Sequence, residues 1–79
     1  MFRRRLGPDP HEGGNQTAND GGCPDIWELE NGEIAIIGRV ETPNLSRLLP
    51  SSASCGRDEA IVVIPRATLI GARADIPEK

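Results

Sequence analysis

Apolar and polar residues alternate most regularly over residues 26–37, on both sides of the pair Asn31-Gly32. Such alternation predicts β-strands, and an Asn-Gly pair between two of them is typical of a two-residue hairpin turn, because both residues tolerate positive φ. A two-residue turn at this place puts Trp27 opposite Ile36. The predicted core-facing residues of this β-hairpin are Trp27, Leu29, Ile34 and Ile36.

The other face of the predicted hairpin is acidic, because Glu28, Glu30 and Glu33 fall on it. Three carboxylates together could bind a divalent cation or exchange protons with a substrate. Hard cations usually take their ligands from loops, however, and a flat sheet face lacks that geometry. We therefore predict that this face is a solvated surface that contacts a basic helix or arm of a partner.

A second apolar stripe predicts a short helix after the hairpin. Leu45, Leu48 and Leu49 are spaced at i, i+3 and i+4, Thr42 suits the N-cap, and Pro43 suits the first helical position. Because so short a helix is not stable alone, we expect its leucines to dock on the apolar face of the hairpin.

A continuous run of β-branched residues predicts a third strand. The run consists of Ile61, Val62, Val63 and Ile64. In a small open sheet an unpaired strand can accept a strand from another protein or from a second copy. Residues 65–73 fit either a second short helix that begins at Pro65 or an irregular edge strand, and we favour the helix.

Residues 1–22 are rich in Gly and polar side chains and offer little apolar surface to offset the cost of ordering them. We predict a disordered N-terminal tail, with Arg3–Arg5 either solvated, which we favour, or acting as an arm for phosphate or a partner. Residues 23–79 then form one small α+β domain with the order β-β-α-β-α. Its hairpin and third strand pack on the short helices.

The formal net charge is −3, and residues 23–79 hold six basic and nine acidic side chains. An acidic domain argues against general nucleic-acid binding, which needs a basic surface to displace counterions. No apolar run approaches the roughly 18 residues of a membrane span. No apolar segment follows the basic start of the chain, so we expect a cytoplasmic protein.

The chain has two cysteines, Cys23 and Cys55, each beside a Pro or Gly at the border of a predicted element. Three interpretations stay open: free thiols, a disulfide between them, or a thiol pair with a redox or metal role. A reducing compartment disfavours a standing disulfide. Together with His11 the cysteines match no zinc spacing, and no phosphate-binding motif or oriented general base is visible. We predict no cofactor and no catalytic activity.

Three segments carry a resemblance to known sequences. They are CPDIWEL at Cys23–Leu29, followed by Asn31-Gly32, then SCGRDE at Ser54–Glu59, and IVVIPRATL at Ile61–Leu69. In these segments the chain resembles a group of small, uncharacterised actinobacterial proteins. The resemblance implies an accessory role beside helix-turn-helix regulators, and it brings no catalytic residues.

These observations predict a non-enzymatic protein-interaction module, accessory to a transcriptional regulator, that acts through an unidentified protein partner or as a homodimer. The predicted contact residues are the acidic face and the third strand. The alternative is a thiol redox or metal-responsive protein that uses Cys23 and Cys55.

Overall fold

The computed structural model describes residues 1–9 and 24–78 of the chain. They form a small α+β fold, as predicted, with a three-stranded antiparallel sheet of order β1-β2-β3, a two-stranded sheet of β4 and β5, and two short helices. The elements are β1 (Phe2–Arg5), β2 (Asp25–Leu29), β3 (Ile34–Ile37), β4 (Arg39–Val40), α1 (Thr42–Leu45), β5 (Val62–Val63) and α2 (Arg66–Ala72).

The hairpin of β2 and β3 forms where it is predicted, but its turn is one residue longer. The backbone N–H of Leu29 donates to the carbonyl of Glu33 at 2.8 Å, and the N–H of Gly32 donates to the carbonyl of Leu29 at 3.0 Å. The loop therefore comprises Glu30, Asn31 and Gly32. Gly32 has a φ of +92°, as expected for a three-residue hairpin loop in which a type I turn is followed by a left-handed residue.

This longer loop shifts the register of β3 by one residue. Ile36 lies opposite Ile26 instead of Trp27, and Ala35 lies opposite Trp27. Because a shift of one residue moves every side chain of a strand to the other face, the predicted apolar face is wrong. The face that packs against α2, called the helix face below, carries Ile26, Glu28, Ile34 and Ile36. The opposite face, called the tryptophan face, carries Asp25, Trp27, Leu29, Ala35 and Ile37.

The start of the chain belongs to the sheet. The prediction that residues 1–22 form a disordered tail is wrong for Phe2–Arg5, which pair with β2 as strand β1. Sequence pattern alone could not predict this strand, because a lone Phe followed by three Arg has no apolar face. Its arginines find their partners only among the carboxylates of β2. Residues 10–22 lie outside the described residues, and the domain boundary predicted after residue 22 stays a prediction.

The buried core is small and lies between the helix face and α2. It consists of Leu6, Ile26 and Ala72, with Ile64 packed against them. Gly7 has a φ of +90°, and a Cβ there would lie 3.1 Å from the backbone carbonyl of Gly71. This close approach lets the chain after β1 run directly over the end of α2. None of the residues predicted for the hairpin core is among the buried ones.

Both predicted helices are present. Helix α1 continues as a 3₁₀ turn over Ser46–Leu48, and α2 follows Pro65 as its N-cap residue. Thr42 does not cap α1, since its Oγ1 accepts the backbone N–H of Ile61 at 2.8 Å. The expected burial of the leucines is wrong for Leu48, which is 67% exposed. No helix in the described residues has the length and apolar character needed to span a bilayer.

Glu41 stands in the N-cap position of α1 and joins the helix to β4. Its carboxylate accepts hydrogen bonds from Nδ2 of Asn44 at 2.7 Å and from Nε of Arg39 at 2.6 Å. The bond from Asn44 first, and then the bond and charge of Arg39, lower the pKa of Glu41 below its ordinary value. The two hydrogen bonds therefore favour the ionised form of the carboxylate at the junction of the two elements.

The three-residue loop predicts the effect of replacing Gly32. We expect Gly32→Ala to lower the free energy of unfolding by about 1–2 kcal/mol, because a Cβ is disfavoured at positive φ. Urea unfolding followed by Trp27 fluorescence measures this change. The matched control is Gly56→Ala, where φ is not positive and the nearest atom belongs to the flexible carboxylate of Glu59. Equal losses in the two variants would contradict the loop geometry.

Candidate interaction surface

Two of the three arginines of β1 each pair with one carboxylate of β2. The Nε of Arg4 donates to Oε1 of Glu28 at 3.0 Å. The Nε of Arg5 lies 3.1 and 3.2 Å from the two carboxylate oxygens of Asp25, and its second terminal nitrogen donates to Oδ2 of Asp25 at 3.1 Å. Because Glu28 is 6% exposed and Asp25 is 8% exposed, these charges need their partners. An unpaired buried charge costs several kcal/mol.

Two further contacts of β1 are made to Trp27 on the tryptophan face. The guanidinium of Arg5 lies 4.5 Å from the centre of the indole ring. The ring of Phe2 meets the indole edge-on, with 5.6 Å between centroids. A cation–π contact and an aromatic pair each contribute about 0.5–1.5 kcal/mol. Trp27 is thus half-buried by β1 instead of by the predicted leucines.

The N-terminal segment is also held at its far end by the chain that follows α2. The terminal nitrogen of Arg4 donates to the backbone carbonyl of Asp75 at 2.7 Å, and the backbone N–H of Gly7 donates to the carboxylate of Asp75 at 2.8 Å. One residue near the C-terminal end therefore fixes both the middle and the end of this segment. These contacts make β1 an integral part of the described fold.

The three predicted surface glutamates do not form one acidic face. Glu28 is buried on the helix face and bound to Arg4. Glu30 is exposed in the hairpin loop, 3.6 Å from the N-terminal amine. Glu33 is exposed at the end of the loop, where its backbone N–H donates to Oδ1 of Asn31 at 2.9 Å. The prediction that the three carboxylates share one solvated face is therefore wrong.

The predicted pairing strand, Ile61 to Ile64, is occupied within the chain. Its central residues form β5, with Val63 opposite Arg39 in β4. The backbone carbonyl of Ile61 accepts the N–H of Glu41 at 2.9 Å. Ile64 packs against the core. The run is therefore a strand, as predicted, but one side of it is already paired.

Strand β3 forms an open edge that sequence analysis did not single out as a contact. Among residues 1–9 and 24–78, no strand lies along its outer side. Ile34, Ile36 and Ile37 are 43%, 44% and 49% exposed. The isoleucines therefore present apolar surface on both faces of the same edge strand. The apolar sequence IAII is the available signal for this edge, but the predicted register places Ile34 and Ile36 in the core.

The hydrogen-bond alternation of the hairpin identifies which backbone groups face outwards. Leu29 bonds to Glu33, so the pairs at every second position, including Trp27 with Ala35, are also bonded inwards. The backbone N–H and C=O groups of Ile34 and Ile36 therefore point away from β2. They offer two donors and two acceptors along the open edge.

The two edges of the sheet differ in how they are protected. At the edge opposite β3, strand β1 carries three arginines. Its register shifts between Phe2 and Arg4, so that Arg3 is an extra residue in the strand. Charged side chains and bulges are the usual devices that prevent strands from adding to an edge. Strand β3 has neither a charge nor a proline within Ile34–Ile37. Strand addition is therefore opposed at the edge of β1 and unopposed at the edge of β3.

Cys55 lines an open cleft of about 460 Å³ with Leu49, Ala53, Ser54, Glu59, Ala60 and Ile61. Its side chain is half-buried and is in no disulfide. Cys23 lies outside the described residues, so the predicted pairing or joint redox role of the two cysteines stays a prediction. Across the residues that the structure describes, no three His, Cys, Asp or Glu side chains are placed to hold a metal ion.

The ion pair of Arg4 predicts a difference between neighbouring arginines. We expect Arg4→Met to lower the free energy of unfolding by about 1–3 kcal/mol, because Glu28 would stay buried without its cation. The same substitution at Arg3, an exposed residue of the irregular part of β1, should change it by less than about 0.5 kcal/mol. Urea unfolding of both variants tests this. Equal effects would show that β1 does not hold Glu28.

The thiol of Cys55 predicts the redox state of the protein as isolated. We expect the mass of the untreated protein to match two reduced cysteines, and both to be alkylated after unfolding. Intact-mass spectrometry measures this directly. A mass lower by two hydrogen atoms, with no alkylation at Cys55, would contradict the free thiol and favour the redox alternative.

Comparison with known proteins adds no family to this description. The chain matches no protein-family model, no curated protein and no solved structure. The resemblance to actinobacterial proteins accordingly stays a prediction, and the function rests on the contacts and exposed surfaces described above.

Proposed function

We propose that this protein is a non-enzymatic interaction module that binds another polypeptide by adding its strand to the edge of β3. The observation that carries the proposal is the unguarded edge of Ile34–Ile37, with three half-exposed isoleucines on one short strand. An edge of this kind is a template for strand pairing. In such complexes, main-chain hydrogen bonds supply affinity and side-chain contacts supply specificity.

The rest of the sheet supports this role by holding β3 in an extended conformation. Strand β2 is fixed on its other side by β1 through the pairs of Arg4 with Glu28 and Arg5 with Asp25. The partner strand therefore meets a preformed edge, so that less conformational entropy is lost on binding. Ile34 and Ile36 would contact the partner on the helix face, and Ile37 on the tryptophan face.

The biological role that we propose is accessory to a transcriptional regulator. This part of the proposal comes from the resemblance of Cys23–Leu69 to actinobacterial proteins that are thought to accompany small helix-turn-helix regulators. The acidic balance of the chain, with a net charge of −3, supports contact with a protein surface in preference to direct contact with DNA.

The edge predicts that one substitution removes partner binding without unfolding the protein. When a tagged copy is purified from its native host, we expect the Ile36→Lys variant to recover at least about tenfold less of an identified partner than the wild-type chain does. The reason is that charged side chains on an edge oppose strand addition. The matched control is Ile70→Lys, since Ile70 is 51% exposed and belongs to α2 instead of β3. Binding should then be reproduced with purified components by calorimetry.

Two results would overturn the proposal. One is a purified partner that binds the wild-type chain and the Ile36→Lys variant equally well. The other is that the folded, tagged wild-type chain binds no partner, neither a regulator nor a second copy. Circular dichroism of each variant establishes that they are folded.

A further inference from the structure

We infer that the strand added to β3 is β3 of a second copy, so that two chains form one continuous antiparallel sheet across a two-fold axis. This inference rests on the proposed function and names the partner. The asymmetry of the two edges is its starting point, because β1 is protected by arginines and an irregular register while β3 is not. An edge left unguarded in a soluble chain is expected where pairing is part of the assembly.

The alternation of backbone groups fixes how two copies can meet. Ile34 and Ile36 face outwards and must pair with outward-facing residues of the other strand. A two-fold axis through Ala35 places Ile34 of each copy opposite Ile36 of the other. Each of these two pairs exchanges two backbone hydrogen bonds, so all the outward groups of Ile34 and Ile36 are satisfied. An axis through Ile36 would place Ile34 opposite Gly38, and an axis through Ile34 would place Ile36 opposite Gly32, so in both cases an outward-facing isoleucine would pair with a residue outside β3.

Side chains agree with the same register. On the helix face, the side chain of Ile34 in one copy lies beside the side chain of Ile36 in the other copy. Both side chains would lose exposed apolar surface in this contact. On the tryptophan face, Ala35 meets Ala35 of the second copy, and its small side chain allows close contact at the axis. The sequence Ile-Ala-Ile is symmetric about its centre, as an isologous contact requires.

Charge at the ends of the strand favours the antiparallel orientation. The hairpin loop next to Ile34 carries Glu30 and Glu33, and the other end of the strand leads to Arg39, whose side chain is largely exposed and pairs with Glu41. Antiparallel pairing brings the acidic loop of one copy towards Arg39 of the other. A parallel pairing would instead bring the two acidic loops together, which is unfavourable.

The contact is short, because β3 has four residues, and it falls at the lower end of the size range of specific interfaces. We therefore expect a dimer that dissociates on dilution. Light scattering of the wild-type chain at rising concentration should show the mass approach twice the 8.5 kDa of one chain. The Ile36→Lys variant should stay at 8.5 kDa under the same conditions.

A disulfide across the axis tests the register. In a background with Cys23→Ser and Cys55→Ser, we expect Ala35→Cys to form a covalent dimer under mild oxidation. Ala35 lies at a non-hydrogen-bonded pair of the new interface, where Cα atoms are about 4.5 Å apart, within disulfide range. The yield should be at least about tenfold higher than for Ser52→Cys, an exposed loop position that links by collision alone.

The outcomes separate this inference from the proposed function. A covalent dimer from Ala35→Cys, together with loss of the wild-type dimer on Ile36→Lys, supports the inference. Preferred linkage through Ile36→Cys instead of Ala35→Cys overturns the register and with it the inferred dimer. A wild-type chain that is monomeric up to about 1 mM, yet binds an identified regulator through Ile36, overturns the inference and leaves the proposed function standing.

Discussion

Two carboxylates in β2, those of Asp25 and Glu28, are almost fully buried, and each must keep a guanidinium beside it. The arginines that do this come from the first residues of the chain. Without β1, both charges would lose their partners, and Trp27 would lose the contacts of Phe2 and Arg5. Burying an unpaired charge costs more than a core of this size can offset. The sheet, and therefore the edge of β3, depends on these ion pairs.

The same constraint explains why so much apolar surface stays exposed. Once β1 covers one edge of β2 and directs Leu6 towards Ile26 and Ala72, the core is complete with few residues. The close contact of Gly7 with the end of α2 leaves no room for larger side chains there. The isoleucines of β3 lie beyond this core. A small domain can be stable with such an arrangement when association buries the remaining surface.

Local patterns in the sequence predicted the elements but not their assembly. The hairpin, the helix after Thr42, the β-branched strand and the helix after Pro65 all form near their predicted places. The register of the hairpin could not be predicted, because Asn31-Gly32 suits both a two-residue turn and a three-residue loop with Gly32 in the left-handed region. The register depends on the whole sheet, because Glu28 can lie on the helix face only when Arg4 of β1 pairs with it. Strand β1 was not predicted, because residues 1–22 are rich in Gly and polar side chains. Because the predicted register differs by one residue, it places Ile34 and Ile36 in the core instead of at the exposed edge of β3.

The fold requires the pairing of β1 with β2, and one distance tests this pairing directly. Arg5 and Trp27 form a non-hydrogen-bonded antiparallel pair, in which the Cα atoms lie about 4.5 Å apart and the Hα atoms point at each other. Nuclear magnetic resonance of the isotope-labelled full chain should therefore show a strong Overhauser effect between the Hα atoms of Arg5 and Trp27. The absence of this effect, with random-coil shifts for Arg3, Arg4 and Arg5, would show that the N-terminal arginines form a tail and would contradict the pairing of β1 with β2.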